Sequence, residues 1–152
     1  MSADPLRQFE REHAEALEVL EVLERAATAL EEGGDPAPHL AEARVALEFI
    51  QSAVRRHNEA EERALFPFIE DALPAALFVE EHVRLRALEE TLDAALAGTD
   101  PAHHAVEPAL ELVALLREHI ERENNVLFPA ARTLLGTDGL VMVARRLESG
   151  QA

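Results

Sequence analysis

The 152-residue chain contains no cysteine, no tryptophan and no tyrosine, and because all fourteen of its basic residues are arginine it contains no lysine either. Without cysteine the protein has no disulfide framework and no thiolate chemistry. Without lysine it has neither a Schiff-base amine nor a Walker-type phosphate-binding lysine. These absences exclude several classes of enzyme before any motif is considered.

Positive charge and long apolar runs are also scarce. Thirty acidic residues against fourteen basic ones give a net charge of −16 at pH 7, which argues against binding to nucleic acid or to anionic membranes. No apolar run approaches the ~20 residues that a membrane span needs, and the start of the chain lacks a basic and then apolar leader. We therefore expect a cytoplasmic protein with no nucleic-acid or membrane partner.

Four apolar stripes predict four amphipathic helices, since apolar residues recur there at alternating steps of three and four. Gly33 is placed to end the first helix, and Asp35 and Asp100 each precede a proline that can begin a helix. Four helices with short links and no strand pattern predict an all-α, up-down-up-down four-helix bundle. We assign this bundle to residues 1–135, and a short C-terminal helix, packed on the bundle or extending it, to residues 136–152.

Six polar residues occupy stripe positions where a bundle normally has leucine or alanine. The second and fourth helices each carry H-x-x-x-E followed at the same offset by L-F-P, and the first and third each carry F-x-x-E-H. The chain therefore looks like a duplicated helical hairpin. The six residues are His13, His57, Glu61, His82, His119 and Glu123.

A metal is the simplest partner for this set, because a buried carboxylate or imidazole without a partner is unstable. A spacing of four aims an imidazole and a carboxylate from one helix face into the same layer of the core. Two metals, each with two histidines and bridged by both glutamates, would use all six side chains. Mixed imidazole and carboxylate ligation suits iron better than a closed zinc site or a magnesium site, so we predict two iron ions.

The alternative is a polar layer without a metal. A single histidine on an apolar face is more often a satisfied core residue than a ligand, but four histidines and two glutamates in two motifs that each occur twice favour the metal site. Glu12, Glu81 and Glu118 each precede a predicted ligand and are candidates for hydrogen bonds to imidazole N–H groups, although neighbouring helix positions point about 100° apart. The L-F-P segments are predicted to be structural, with prolines that bend or end the helix.

The paired F-x-x-E-H and H-x-x-x-E motifs resemble those of the hemerythrin-like family, the HHE cation-binding domains, over residues 6 to about 132. The resemblance implies two iron positions, each with two histidines, joined by two bridging glutamates. It assigns His13 and His57 to one iron, His82 and His119 to the other, and Glu61 and Glu123 to the bridges.

Two positions depart from the oxygen-carrying members that the chain resembles. Those members have a fifth histidine one turn beyond the ligand on the third helix, where this chain has Arg86, and an aspartate one residue later than Glu123. The resemblance is therefore to the bacterial, non-carrier branch. We expect Arg86 to line the pocket at the additional open iron position and to favour a bound anion such as peroxide; the alternative is an arginine that extends to solvent.

The resemblance implies a non-haem di-iron protein that binds a small ligand, O2, NO or peroxide, for sensing or binding. One alternative is a di-iron enzyme that removes peroxide or NO. Iron storage or buffering and iron–sulfur cluster repair are others, although the repair type carries a cysteine-containing domain and this chain has no cysteine. A metal-free interaction bundle is the remaining alternative, and it predicts a chain that is equally stable without metal.

Overall fold

The computed structural model describes residues 4–150, and all regular secondary structure within that range is helical, which confirms the predicted all-α class. Two π-helical turns, Ile50–Val54 and Glu123–Leu127, and one 3₁₀ turn, Phe66–Phe68, lie between α-helices. The α-helices are α1 (Leu6–Glu32), α2 (Ala37–Phe49), α3 (Arg55–Ala64), α4 (Ala75–Ala97), α5 (Pro101–His104), α6 (Val106–Arg122) and α7 (Phe128–Ser149).

Four long rods build the bundle. The first is α1, the second runs from α2 through a π turn into α3, the third is α4, and the fourth runs from α6 through the other π turn into α7. Because α1 packs against α2 and α6, and α4 packs against the same two helices, the rods close into the predicted four-helix bundle. One π turn ends just before His57 and the other begins at Glu123, and such turns are frequent at functional sites.

The links between rods follow the predicted helix signals. The first helix ends before Gly33 and Gly34, whose φ angles of 96° and 91° lie in the left-handed region that glycine adopts without strain. Asp35 accepts a hydrogen bond from the backbone N–H of Ala37 over 3.1 Å, so its side chain caps the start of the second rod. Asp100 directly precedes α5, as the Asp-Pro pattern predicts.

The C-terminal helix is joined to the fourth rod by a bend at a single glycine. Helical residues continue on both sides of Gly136, whose backbone alone is non-helical at φ 61° and ψ −169°. A single glycine suffices because it adopts a positive φ that other residues avoid. Beyond the bend, Val143 and Leu147 are buried in the same cluster as Leu6 and Phe9, so this segment packs on one end of the bundle.

Two apolar clusters form the core, and a polar layer lies between them. On each rod the chain passes from one cluster to the other at the position of a histidine. This order follows from the stripe pattern, because on every rod apolar residues lie both before and after the polar residues of the layer. One cluster includes Leu20, Leu23, Leu47, Leu92 and Leu112, and the other includes Leu6, Phe9, Phe66, Phe128 and Val143.

By length and composition alone, one helical segment, Pro101–Ser149, contains a stretch apolar enough to cross a membrane. One such segment is weak evidence for a membrane span, because a buried core helix can pass the same test. The bend at Gly136 lies inside this segment, so it is not one uninterrupted straight helix.

Candidate metal centre

The structure gathers all six predicted polar residues into one layer. The first rod contributes one of the histidines, the third rod another, and the second and fourth rods each contribute a histidine and a glutamate. None of the six is more than 5% exposed. They are His13, His57, Glu61, His82, His119 and Glu123.

Their nitrogen and oxygen atoms form two overlapping groups, in each of which one atom per residue lies within 4.8 Å of the others. Glu61 and Glu123 belong to both groups, while each group has its own pair of histidines. The Nε2 atom of His13 lies 2.9 Å from Glu123, and that of His82 lies 3.3 Å from Glu61. Each group thus offers two imidazoles and two carboxylates, the set that the resemblance implies.

The inward-facing atoms of this layer lack hydrogen-bond partners among residues 4–150. They comprise the Nε2 atoms of all four histidines and both carboxylate oxygens of Glu61 and Glu123, whose close contacts lack hydrogen-bond geometry. A buried polar atom left without a partner costs about 1–3 kcal/mol, so a folded protein satisfies nearly all such atoms. Bound metal ions would satisfy this whole set at once, so the residues present fit a metal site.

The opposite side of each imidazole is fixed by a hydrogen bond from Nδ1 to the preceding rod in the bundle. An acceptor there holds the proton on Nδ1 and leaves Nε2 facing the layer. Each rod accepts one such hydrogen bond from the next rod, and the fourth rod accepts one from the first. The four hydrogen bonds therefore form a closed ring around the bundle. The pairs are His57 with Glu12 (2.8 Å), His82 with Glu62 (2.6 Å), His119 with Glu81 (2.9 Å) and His13 with Asn124 (2.7 Å).

The rod that accepts the Nδ1 hydrogen bond of each imidazole also packs a phenylalanine against that imidazole. Ring centroids lie 5.0 to 6.0 Å apart, in stacked or edge-on arrangements typical of favourable aromatic pairs. The L-F-P segments are therefore more than the ends of helices, because their phenylalanines enclose the polar layer. The pairs are Phe9 with His57, Phe66 with His82, Phe78 with His119 and Phe128 with His13.

The two prolines of these segments act differently. Pro67 lies in the 3₁₀ turn that ends the second rod, as predicted, whereas Pro129 lies in the first turn of α7, where the helix continues. Pro129 directly follows the π turn, where the backbone N–H of Phe128 already bonds to Glu123 five residues back, and the fourth rod continues through it.

The Nδ1 partners were predicted only in part. Glu12 and Glu81 are partners, but of histidines on other rods rather than of their sequence neighbours. Glu118 instead pairs with Arg122 at the surface. Sequence reasoning missed Glu62 and Asn124, although each directly follows the glutamate of an H-x-x-x-E motif, and that shared offset is the signal that could have identified them.

Close charges shift the pKa values of the layer in the metal-free protein. Burial by itself lowers the pKa of His57, but neighbouring carboxylates, led by Glu61, raise it well above 6.5. The pKa of His119 is likewise lowered by burial and raised, on balance, by Glu123. Burial by itself raises the pKa of Glu123, but contacts with histidines, His119 first, hold it well below 4.5. Without metal, the charged forms of His57, His119 and Glu123 therefore stabilise one another.

A cavity of about 630 Å³ borders the layer on the side of α1 and α3. Its lining includes His13, His57 and His119 together with apolar side chains such as Val54 and Leu116. Small molecules could thus approach the group that contains His13 and His57 through this cavity.

The structure places Arg86 differently from its prediction. Its side chain is exposed on α4 and does not line the cavity beside the layer, because a charged guanidinium is more stable in solvent than in an apolar interior. The buried stripe of α4 continues instead through Leu85 and Glu89. The alternative of an arginine extending to solvent describes Arg86 better than the pocket role does.

An ion pair between the partly exposed Arg55 and the buried Glu89 was not predicted. Arg55 donates to Glu89 over 3.0 Å, joining the second rod to the third, and Glu89 is only 3% exposed. Burial raises the pKa of Glu89, and Arg55 opposes that shift without cancelling it. The sequence signal was ambiguous because Leu88 and Glu89 both fit the apolar stripe of α4.

The fold and this layer define a class of protein, a four-helix bundle with a histidine- and carboxylate-rich core suited to metal ions. The family described as hemerythrin HHE cation-binding domain matches residues 4–131 of the chain. The chain therefore belongs to the hemerythrin HHE cation-binding domain family, and it is a metal-binding protein. A search among curated proteins found no match.

Proposed function

We propose that the protein is a non-haem di-iron protein that binds O2, NO or peroxide at an open coordination position, for sensing or binding. The observation that carries this proposal is the pair of overlapping groups that share both glutamates. A single metal could not use four imidazoles and two carboxylates in this arrangement, whereas two metals bridged by the glutamates would use all of them.

In this proposal each iron would be held by one histidine pair and by both glutamates. His13 and His57 would hold one iron, and His82 and His119 would hold the other. When bound, the irons supply coordination positions and redox electrons for a small ligand. The chain contributes the rest: hydrogen bonds at Nδ1 orient the imidazoles, and the four phenylalanines limit the access of water to the layer.

The surroundings of the layer support a small ligand rather than a macromolecule. The cavity that reaches His13 and His57 has a volume of about 630 Å³ and is lined by side chains of the first, second and fourth rods. A net charge of −16 disfavours nucleic acid and anionic membranes as partners. We accordingly propose a small diatomic ligand or peroxide as the partner of the site.

The first test is metal analysis of the protein purified in air, together with an ultraviolet-visible spectrum before and after addition of azide or NO. We expect about two irons per chain and near-ultraviolet bands that change with either ligand. A colourless protein that contains zinc or no metal, and that ignores both ligands, would contradict the proposal. Iron and manganese are distinguished by the same metal analysis.

A pair of variants separates the site from the surface of the same helix. The double variant His57→Ala with Glu61→Ala removes one ligand of one iron and a bridge between both, so we expect most of the metal to be lost. Glu59→Ala is the matched control, because Glu59 is exposed on α3 between them, and it should keep wild-type metal content. If the double variant kept its metal and its melting temperature, the assignment of the site would be wrong.

The same protein tests whether the site binds or turns over its ligand. A stable spectral change with peroxide supports binding or sensing. Consumption of many equivalents of peroxide with the metal retained would instead assign an enzyme that removes peroxide, with electrons supplied by an external reductant because the chain has no cysteine or tyrosine.

A further inference from the structure

The ring of Nδ1 hydrogen bonds has one member that differs from the others. Glu12, Glu62 and Glu81 are carboxylates, whereas Asn124 is a neutral amide. Within the internal repeat, Glu62 and Asn124 are equivalent, since each directly follows the glutamate of its H-x-x-x-E motif. The ring of hydrogen bonds therefore departs from two-fold symmetry at one acceptor, where an amide replaces a carboxylate.

The two equivalent bonds have the same geometry and differ in charge. The Oδ1 atom of Asn124 lies 2.7 Å from Nδ1 of His13, and Glu62 lies 2.6 Å from Nδ1 of His82. Both acceptors thus fix the proton on Nδ1 and direct Nε2 inward. Hydrogen bonds to an ionised acceptor are roughly twice as strong as those between neutral groups, and a carboxylate at this position makes the imidazole a more basic metal ligand.

Because of this change, the two histidine pairs differ in the number of carboxylates that accept their Nδ1 hydrogen bonds. His82 and His119 both donate to carboxylates, whereas of His13 and His57 only His57 does. The cavity borders both histidines of the less supported pair, whereas of the other pair it borders only His119. Charge and solvent access therefore act in the same direction at that position.

We propose that Asn124 makes the two metal positions unequal, so that the position of His13 and His57 binds its metal less tightly and exchanges it first. This inference rests on the proposed function, since it requires both positions to hold metal. Asn124 acts through His13 and is a positioning residue.

The test is the rate at which excess chelator removes Fe(II) from anaerobically loaded protein. We expect two phases of equal amplitude in the wild type. The near-isosteric change Asn124→Asp supplies the missing carboxylate, so the fast phase should slow about tenfold or more, the usual effect of such an outer partner on metal affinity. Asn125→Asp is the matched control, because it adds the same charge at an exposed neighbour in the same π turn, and it should leave both phases unchanged.

The mirror variant keeps the proposal testable if Asn124→Asp does not fold. Glu62→Gln replaces the carboxylate that accepts from His82 with a neutral amide. The slow phase should therefore accelerate while the fast phase stays as it was. Mössbauer spectra of ⁵⁷Fe-loaded protein give a readout independent of rates: two doublets of equal area in the wild type, whose quadrupole splittings converge in Asn124→Asp.

The outcomes separate this inference from the proposed function. If the wild type binds no pair of metals, both fall together. If two irons bind but leave in one phase that neither Asn124→Asp nor Glu62→Gln alters, the proposed function stands and the inequality of the positions is wrong. Equal effects of Asn124→Asp and Asn125→Asp would also overturn it, because they would reflect added charge and not the bond to His13.

Discussion

At the scale of single residues, each histidine of the layer has three defined contacts. Its Nε2 faces the carboxylates, its Nδ1 donates to the preceding rod, and its ring packs on a phenylalanine from that same rod. The pattern F-x-x-E-H has a clear meaning in these terms, because Phe9 and Glu12 both contact His57 on the second rod. The polar layer is thus positioned by its outer contacts even before a metal binds.

The first prediction concerns the pH dependence of the metal-free protein. Because the folded pKa values of His57 and His119 are raised above 6.5, their contribution to stability is complete below pH 6.5 and is lost as the pH rises through the folded values. The folded pKa of Glu123 is lowered below 4.5, so its contribution is present above pH 4.5 and is lost as the pH falls. The melting temperature should therefore decline on both sides of this window.

Thermal melts of chelator-treated protein from about pH 4 to 9 check this dependence. His57→Gln should flatten the alkaline decline, since it removes one of the two groups responsible for it. A melting temperature of the wild type that rises steadily from pH 6.5 to 9 would show that the histidines are neutral in the metal-free fold.

At the scale of elements, the second and third rods are joined by polar contacts as well as apolar ones. Arg55 pairs with the buried Glu89, and Arg44 pairs with Asp93 further along the same two rods. The Arg44 pair is partly exposed and therefore contributes little, whereas Glu89 lies where an unpaired charge is costly. The Arg55 contact thus adds a polar link between the second and third rods.

The second prediction tests that contact by removing one partner and then both. Arg55→Met leaves the buried Glu89 carboxylate without its hydrogen-bonded cation and should destabilise the fold by about 1–3 kcal/mol, less than for a fully buried pair because Arg55 is partly exposed. The double variant with Glu89→Leu should recover most of that loss. Urea unfolding of the metal-free forms measures both, and Arg56→Met, at an exposed neighbour, should be nearly neutral. A double variant less stable than Arg55→Met would contradict this account.

The third prediction concerns the C-terminal part of α7. Val143 is fully buried against the bundle end, whereas the adjacent Met142 is 47% exposed. Val143→Ala should cost about 2 kcal/mol, since it leaves a small cavity in a packed cluster, and Met142→Ala should cost little. Equal effects of the two changes in urea unfolding would mean that this segment does not pack on the bundle in solution.

At the scale of the whole molecule, the polar layer lies between two apolar clusters that bury large side chains on both sides. Burial of apolar surface is the main source of stability in a domain of this size. The metal site is therefore an addition to a core that already exists, unlike small metal-dependent domains that unfold when the metal is removed.

The fourth prediction follows from this arrangement. Removal of the metal should lower the melting temperature, because metal that binds only the folded state stabilises it, yet the helical circular dichroism should be retained at 25 °C. Differential scanning fluorimetry and far-ultraviolet spectra before and after chelation measure the two effects. A chain that unfolds completely on chelation would show that the two clusters are insufficient by themselves.

The sequence by itself determined the four rods, their order and the six polar residues of the layer. Helical periodicity is local, so a residue such as His57 or Glu61 reveals its inward position from its spacing to apolar neighbours. The repeated motifs also made the hemerythrin-like resemblance recognisable, and the family match bears it out.

Only the tertiary structure decided which side chains meet across rods. The partners of Glu12 and Glu62, the exposure of Arg86 and the burial of Glu89 depend on how the helices are rotated and spaced against each other. A single helix carries no information about its neighbour's rotation, because that rotation is set by the packing of all four rods together. For the same reason, the amide of Asn124 acquires its meaning only once the fold brings it to His13.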